Sequence, residues 1–130
     1  LELHRRRRPS HWRLLESDAD LTRALRTIPQ QSSVLIDALG GFVACHLDDS
    51  DQAWNDCCEE LVEQLAGMEQ TCVVVIEETG WGVVPPTRIG GLFRDRLGSL
   101  AQILDRQAHS AWLVLQGRAV DLHALSQRVP

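Results

Sequence analysis

Three stretches have residue types and spacing that could do chemistry. The first is Glu77-Glu78-Thr79-Gly80-Trp81-Gly82-Val83-Val84-Pro85-Pro86, which follows the apolar run Cys72–Ile76. That run reads as a buried strand. Two acids, a Gly-X-Gly turn and a proline stop at a strand's carboxyl end are how an α/β enzyme builds the mouth of a site. Adjacent strand residues point to opposite faces, so only one of Glu77 and Glu78 faces a given cleft. Gly80 and Gly82 permit close backbone approach. Trp81 between them reads as a wall for a hydrophobic ligand or as an indole packing the turn.

The second candidate is Asp37, after Val34-Leu35-Ile36. A carboxylate at a strand end can hold Mg²⁺ against a triphosphate, although apolar strands often end in Asp without any such role. The third is His4-Arg5-Arg6-Arg7-Arg8-Pro9-Ser10-His11-Trp12-Arg13. Forked guanidinium donors suit phosphate oxygens, and an imidazole can attack phosphorus to form a phosphoramidate. The same run also reads as a solvated basic end or a nonspecific nucleic-acid arm. Arg94 and Asp95 follow the apolar Phe93 on a helix and read as a solvated or mutually paired set. His11 reads as a surface or packing histidine. His46, His109 and His123 are isolated in the sequence and receive no role.

From Leu3 to Leu122 these stretches resemble, in order and spacing, the bifunctional adenosylcobinamide kinase / adenosylcobinamide-phosphate guanylyltransferase family of cobalamin biosynthesis. Members carry a similar His-X-X-X-Arg-Pro-X-X-Trp stretch, and by position His4 matches the histidine that accepts GMP from GTP. Arg5, Arg6, Arg7 and Arg8 then match guanine-nucleotide contacts, and Glu16 an acid that also contacts GTP. An acid also stands at the place of Asp37, commonly followed by Cys-Leu/Ile-Thr where this chain has Ala38-Leu39-Gly40-Gly41. Many members read Asn-Glu-Val-Gly-Met/Trp-Gly-Ile-Val-Pro. Glu78 matches the glutamate of that stretch, and Glu77 replaces the asparagine. Gly80, Trp81 and Gly82, with Arg94 and Asp95 in a similar Phe-Arg-Asp stretch, fall on the substrate side.

The resemblance implies a RecA-like P-loop-type fold, a mostly parallel sheet with flanking helices, in a cytoplasmic homo-oligomer. It implies phosphorylation of adenosylcobinamide and then transfer of GMP through a histidine. Mg²⁺ and GTP or ATP would be needed, with Asp37 as the metal-side acid. The family opens with a strand and a Gly-rich P-loop carrying a lysine, and neither lies in these 130 residues. Residues 1–130 are then a single α/β domain, the C-terminal portion of the family's nucleotide-binding domain, expected to be inactive alone. The alternative is a noncatalytic relative that binds nucleotide or corrinoid, or serves in assembly. A nucleic-acid-binding module led by the arginine run is a third reading.

The elements that must position these residues are legible in outline. A helix is expected from Ala19 to Arg26, capped by Ser17 or Asp18. A strand follows at Val34–Ile36, and Gly40-Gly41 is expected to loosen the backbone. The acidic turn Asp48–Asp51 suits a helix start. Trp54, Cys57, Cys58, Leu61, Val62 and Leu65 recur at helical spacing over about residues 52–65. Thr87 caps a helix over 88–107 with one apolar stripe. Further strands are expected at 111–115 and 119–122, with a turn at Gly117. Apolar strands alternating with amphipathic helices predict parallel strands.

Composition narrows the function classes. Hydrophobic residues are 44% and charged residues 24% of 130, ordinary for a soluble globular domain. No apolar run approaches the roughly 20 residues of a membrane helix. No apolar stretch follows the basic start, which argues against a signal peptide. A chain opening on Leu1 is expected to be a fragment, a processed chain or one with upstream sequence. The net charge is −5, but Arg5–Arg8 and Arg13 face only Glu2 among the first residues. A basic head on an acidic body suggests local anion binding rather than a nucleic-acid face. All 13 cations are arginine, so this chain offers no lysine for a P-loop or a Schiff base. Cys45, Cys57, Cys58 and Cys72 form no CxxC pair and read as reduced core residues, as in the cytoplasm.

Overall fold

The computed structural model describes residues 8–129. The expectations for His4, Arg5, Arg6 and Arg7 therefore concern residues outside that span. The described chain runs α1 (Leu21–Arg26), β1 (Ser33–Ile36), α2 (Leu39–Cys45), α3 (Asp51–Ala66), β2 (Thr71–Val74), α4 (Arg88–Gln107), β3 (Trp112–Leu115), β4 (Arg118–Asp121) and α5 (Leu122–Leu125).

β1 and β2 pair in parallel, with Val34 opposite Cys72 and Ile36 opposite Val74. Parallel neighbours need a crossover, and α2 with α3 supplies it. α3 forms because Ser50 accepts a hydrogen bond from Ala53 N at 3.2 Å, satisfying one orphan donor of the first turn. Trp54, Cys58 and Leu61 then fall on one buried face. α4 starts in the same way, with Thr87 Oγ1 accepting from Gly90 N at 3.1 Å. It buries Arg96, Leu97 and Leu100.

The core lies on one face of the β1–β2 pair. α1 packs on α3, while α2 and α3 pack on α4. Leu39, Val43, Leu61, Leu97 and Leu100 are its fully buried side chains. Each is worth about 1.5–3 kcal/mol of transfer free energy relative to an exposed position. Arg26 ties α1 to α3 through Glu60 at 2.7 Å and Gln64 at 3.3 Å. On the other face of the strands, Leu35, Val73 and Val75 are 44%, 53% and 40% exposed.

Four expectations are corrected. Strands β3 and β4 are antiparallel, not part of one parallel sheet. The reason is the connection: Gln116 and Gly117 link them, with φ of 52° and 73°. Two residues at positive φ make a hairpin turn and leave no room for a crossover. Secondly, Gly40 and Gly41 lie inside α2. Burial of Leu39, Phe42 and Val43 outweighs the poor helix propensity of glycine. Thirdly, the four cysteines are free, but only Cys58 is buried, and Cys45 is exposed. At α1 the helix begins at Leu21, its cap position is Asp20 with no side-chain bond, and Asp18 takes a positive φ of 43°.

Burial pushes the Cys58 thiol from 9.0 up to about 12, helped by neighbouring Cys57 and opposed by Arg96. Burial also raises Cys57 and Cys72, with Asp49, Glu60 and Asp20 adding to the rise at Cys57. Unfolding releases these thiols to ionise near their ordinary value. Their contribution to stability is therefore present below pH 9.0 and lost as pH rises toward 12. The chain has neither Lys nor Tyr, so no other side-chain type ordinarily titrates in that window. Urea unfolding is expected to show a midpoint that falls above pH 9.0, with the fall reduced in Cys58→Ala. An equally steep fall in that variant would contradict this assignment.

Candidate active site

The strand ends bring two of the sequence candidates into one place. Asp37 follows β1 and is exposed. The chain after β2 runs alongside it. Val75 N donates to Ile36 O, and Val75 O accepts from Leu39 N, both at 2.9 Å. These bonds continue the pairing past Ile36 and hold the start of α2 against the end of β2. Glu77 then reaches the same turn, its Oε2 accepting from Gly40 N at 2.9 Å. It is therefore Glu77, not Glu78, that the structure brings to the turn after Asp37. The Glu78 carboxylate closes its own loop by accepting from Gly80 N at 2.6 Å. The loop continues through Trp81, which is 65% exposed, and Gly82, also exposed.

The other candidates stand apart. Arg94, in the first half of α4, donates from Nε and from a terminal guanidinium nitrogen to Asp95 Oδ1, at 3.2 and 3.1 Å. Among the described residues, no hydrogen bond or ion pair joins either to Asp37, Glu77 or Glu78. Glu16 is exposed in a stretch without regular structure, and Arg8 is half-buried. Among the described residues, no group of three or more His, Cys, Asp or Glu could hold a metal ion. No helix there is long and apolar enough to cross a membrane.

Residues 1–122 match the family described as cobinamide kinase / cobinamide phosphate guanyltransferase. The chain belongs to that family. It is 31% identical over 137 residues to the bifunctional adenosylcobalamin biosynthesis protein CobU of Escherichia coli K12, covering 94% of this chain and 76% of that protein. It is 31% identical over 121 residues to the bifunctional adenosylcobalamin biosynthesis protein CobP of Pseudomonas aeruginosa, covering 92% and 70%. It is 30% identical over 142 residues to the CobU protein of Salmonella typhimurium, covering 94% and 76%. The family's enzymes act as kinase and guanyltransferase on cobinamide substrates, and the small parallel pair with flanking helices is the mixed α/β arrangement seen here.

Sequence reasoning missed the residue that braces the other end of α2. Arg96 is 5% exposed. It donates to the carbonyl oxygens of His46 and Asp49, the latter at 2.9 Å, and to Asp51 Oδ1 at 3.2 Å. Its guanidinium carbon lies 5.3 Å from the Trp54 ring centroid, within cation–π range. The signal was present: residues 93, 96, 97, 100 and 104 form one helical face, so Arg96 interrupts an apolar stripe. His46, given no role above, is partnered as well. Its Nδ1 lies 2.7 Å from Asp49 Oδ2, and its Nε2 lies 3.1 Å from Ala19 O and 3.7 Å from Cys57 Sγ. His123 likewise pairs with Asp105 at 2.9 Å.

Removing Arg96 would orphan two backbone carbonyls, and lysine lacks the fork to serve both. Arg96→Ala and Arg96→Lys are both expected to lower unfolding free energy by about 2–4 kcal/mol, read from denaturant midpoints. Asp51→Asn, at a 95% exposed side chain, should change it little. Wild-type stability in Arg96→Lys would show that the fork is not what matters.

Proposed function

We propose that this chain carries the guanylyltransferase chemistry of an adenosylcobinamide kinase / adenosylcobinamide-phosphate guanylyltransferase. The observation that carries the reading is family membership together with Asp37 at the carboxyl end of a parallel strand, in a turn that Glu77 reaches from the end of the neighbouring strand. Ligands of open α/β sheets bind at the carboxyl ends of strands. The reading takes residues 1–130 as one domain of a RecA-like P-loop fold. A cytoplasmic homo-oligomer acting on GTP or ATP and adenosylcobinamide belongs to the same reading.

The residues take the following roles in it. A His4 ring nitrogen attacks the α-phosphorus of GTP. A P–N bond forms, the bond to the bridging oxygen breaks, and pyrophosphate leaves with the bonding electrons. The phosphate of adenosylcobinamide phosphate then attacks the same phosphorus, frees the imidazole and yields adenosylcobinamide-GDP. Arg5, Arg6, Arg7 and Arg8 supply forked donors to the nucleotide phosphates, and Glu16 contacts the same nucleotide. Mg²⁺ binds through one or two carboxylates plus substrate phosphates and water, so the exposed Asp37 suits it even without a three-ligand cluster. Bound there, it would offset charge on the triphosphate. Glu78, Gly80, Trp81, Gly82, Arg94 and Asp95 line the substrate side. The kinase step, transfer of a γ-phosphoryl group to the aminopropanol hydroxyl, draws on a lysine-bearing P-loop that these 130 residues do not contain. A noncatalytic nucleotide- or corrinoid-binding or assembly module is the second reading.

Intact mass measured before and after GTP and Mg²⁺ separates the two readings. The chain alone is expected to gain nothing. Fused behind the P-loop segment of a relative, it should gain an acid-labile GMP-sized adduct that His4→Ala abolishes. GTP binding by the fusion without any adduct would favour the noncatalytic module, and an adduct surviving in His4→Ala would refute the role of His4.

A further inference from the structure

The first turn of α2 has an unusual source of capping. Helix starts leave N–H groups without partners inside the helix, and a side-chain oxygen at the cap position normally accepts one of them. Here that position is Ala38, which has no such oxygen. The neighbouring chain supplies both acceptors instead: Val75 O for Leu39 N and Glu77 Oε2 for Gly40 N, each at 2.9 Å. The second bond depends on glycine. A Cβ placed on Gly40 would lie 2.6 Å from Glu77 Oε2 and 2.8 Å from its Cδ, closer than real contacts allow. The Glu77 carboxylate thus fills the volume that a side chain at residue 40 would take.

We propose that Gly40 and Glu77 are a matched pair, with Glu77 a positioning residue that fixes the turn carrying Asp37 by capping α2 from the adjacent strand end. The functional part of this rests on the role given to Asp37 under Proposed function. The pair divides the labour between two nearby acids. Glu77 has one oxygen engaged by the backbone, while Asp37, equally exposed, accepts no hydrogen bond among the described residues. A shorter side chain at residue 77 removes this acceptor from the residue-40 amide and opens room for a side chain at residue 40. The two substitutions are therefore expected to occur together.

A double-mutant cycle on the 130-residue chain tests the pairing. Gly40→Ala alone is expected to lower the folding equilibrium constant severalfold, because the new Cβ displaces the carboxylate and leaves the residue-40 amide without its cap. In the Glu77→Ala background the same change should be neutral or stabilising, since alanine is the better helix former once the carboxylate is gone. An equal cost in both backgrounds overturns the pairing.

Positioning is read separately, with Mn²⁺ alone as the probe and the Asp37–Gly40 amide signals followed by NMR in folded protein. Glu77→Ala should weaken Mn²⁺ broadening severalfold, and Glu77→Gln, which keeps an acceptor, should restore it. Broadening lost in Asp37→Asn but unchanged in Glu77→Ala overturns the positioning role. Broadening unchanged in Asp37→Asn removes the metal role of Asp37, and the pairing then stands or falls on the cycle.

Discussion

Arg96 carries a charge into an interior built mainly from leucine, and the arrangement of three helices follows from how that charge is met. A guanidinium taken out of water is costly unless its donors are paired. Arg96 finds its acceptors at the junction of α2 and α3, on the carbonyls of His46 and Asp49, with Asp51 at the rim. Those carbonyls belong to a turn that would otherwise have to face solvent. The bond set therefore fixes where α2 stops, where α3 starts and how close α4 lies. Trp54 under the guanidinium, with Phe42 and His46 at 4.7–6.0 Å between ring centroids, closes the same corner with aromatic surface.

That corner and the strand ends hold α2 from opposite sides. Its last turn is fixed through His46, and its first turn through Val75 and Glu77. Seven residues with two glycines have little helix stability of their own. Tertiary contacts must hold such a helix, and both sets of contacts come from residues distant in sequence. Asp37 sits just before this helix. Its place at the carboxyl end of β1 is thus controlled by β2 directly and by α4 at one remove.

The same distances explain what could be read from sequence. α3 and α4 were legible because Ser50 lay near an acidic turn, Thr87 stood before an amphipathic run, and the apolar spacing was regular. β1 and β2 were legible as apolar runs, and the Gln116-Gly117 turn was half visible in its glycine. Helix α2 was not, because Gly40-Gly41 argues locally against a helix and the case for it lies in the burial of Leu39, Phe42 and Val43. The direction of β3 and β4 was hidden by composition, since a four-residue apolar strand does not announce its partner. At the candidate site, the Gly80–Pro85 stretch marked the loop that follows β2. The choice between Glu77 and Glu78 was not legible. It depends on a missing side chain 37 residues away, at Gly40.

The charge distribution gives these local facts a common sense. Asp37, Glu77 and Glu78 gather at the strand ends, and among the described residues no ion pair offsets any of them. Such a surface repels a triphosphate unless a cation intervenes. On the proposed reading there are two sources: a divalent ion on Asp37, and the arginines at residues 5–8. Tying Glu77 to the Gly40 amide and Glu78 to the Gly80 amide lowers the local repulsion without removing the acids, because each carboxylate accepts from a backbone dipole. All three carboxylates stay exposed, and among the described residues Asp37 is the one that accepts no hydrogen bond. On the proposed reading Asp37 is thus the acid with both oxygens open to a divalent ion, and that follows from the two amides as much as from the acids themselves.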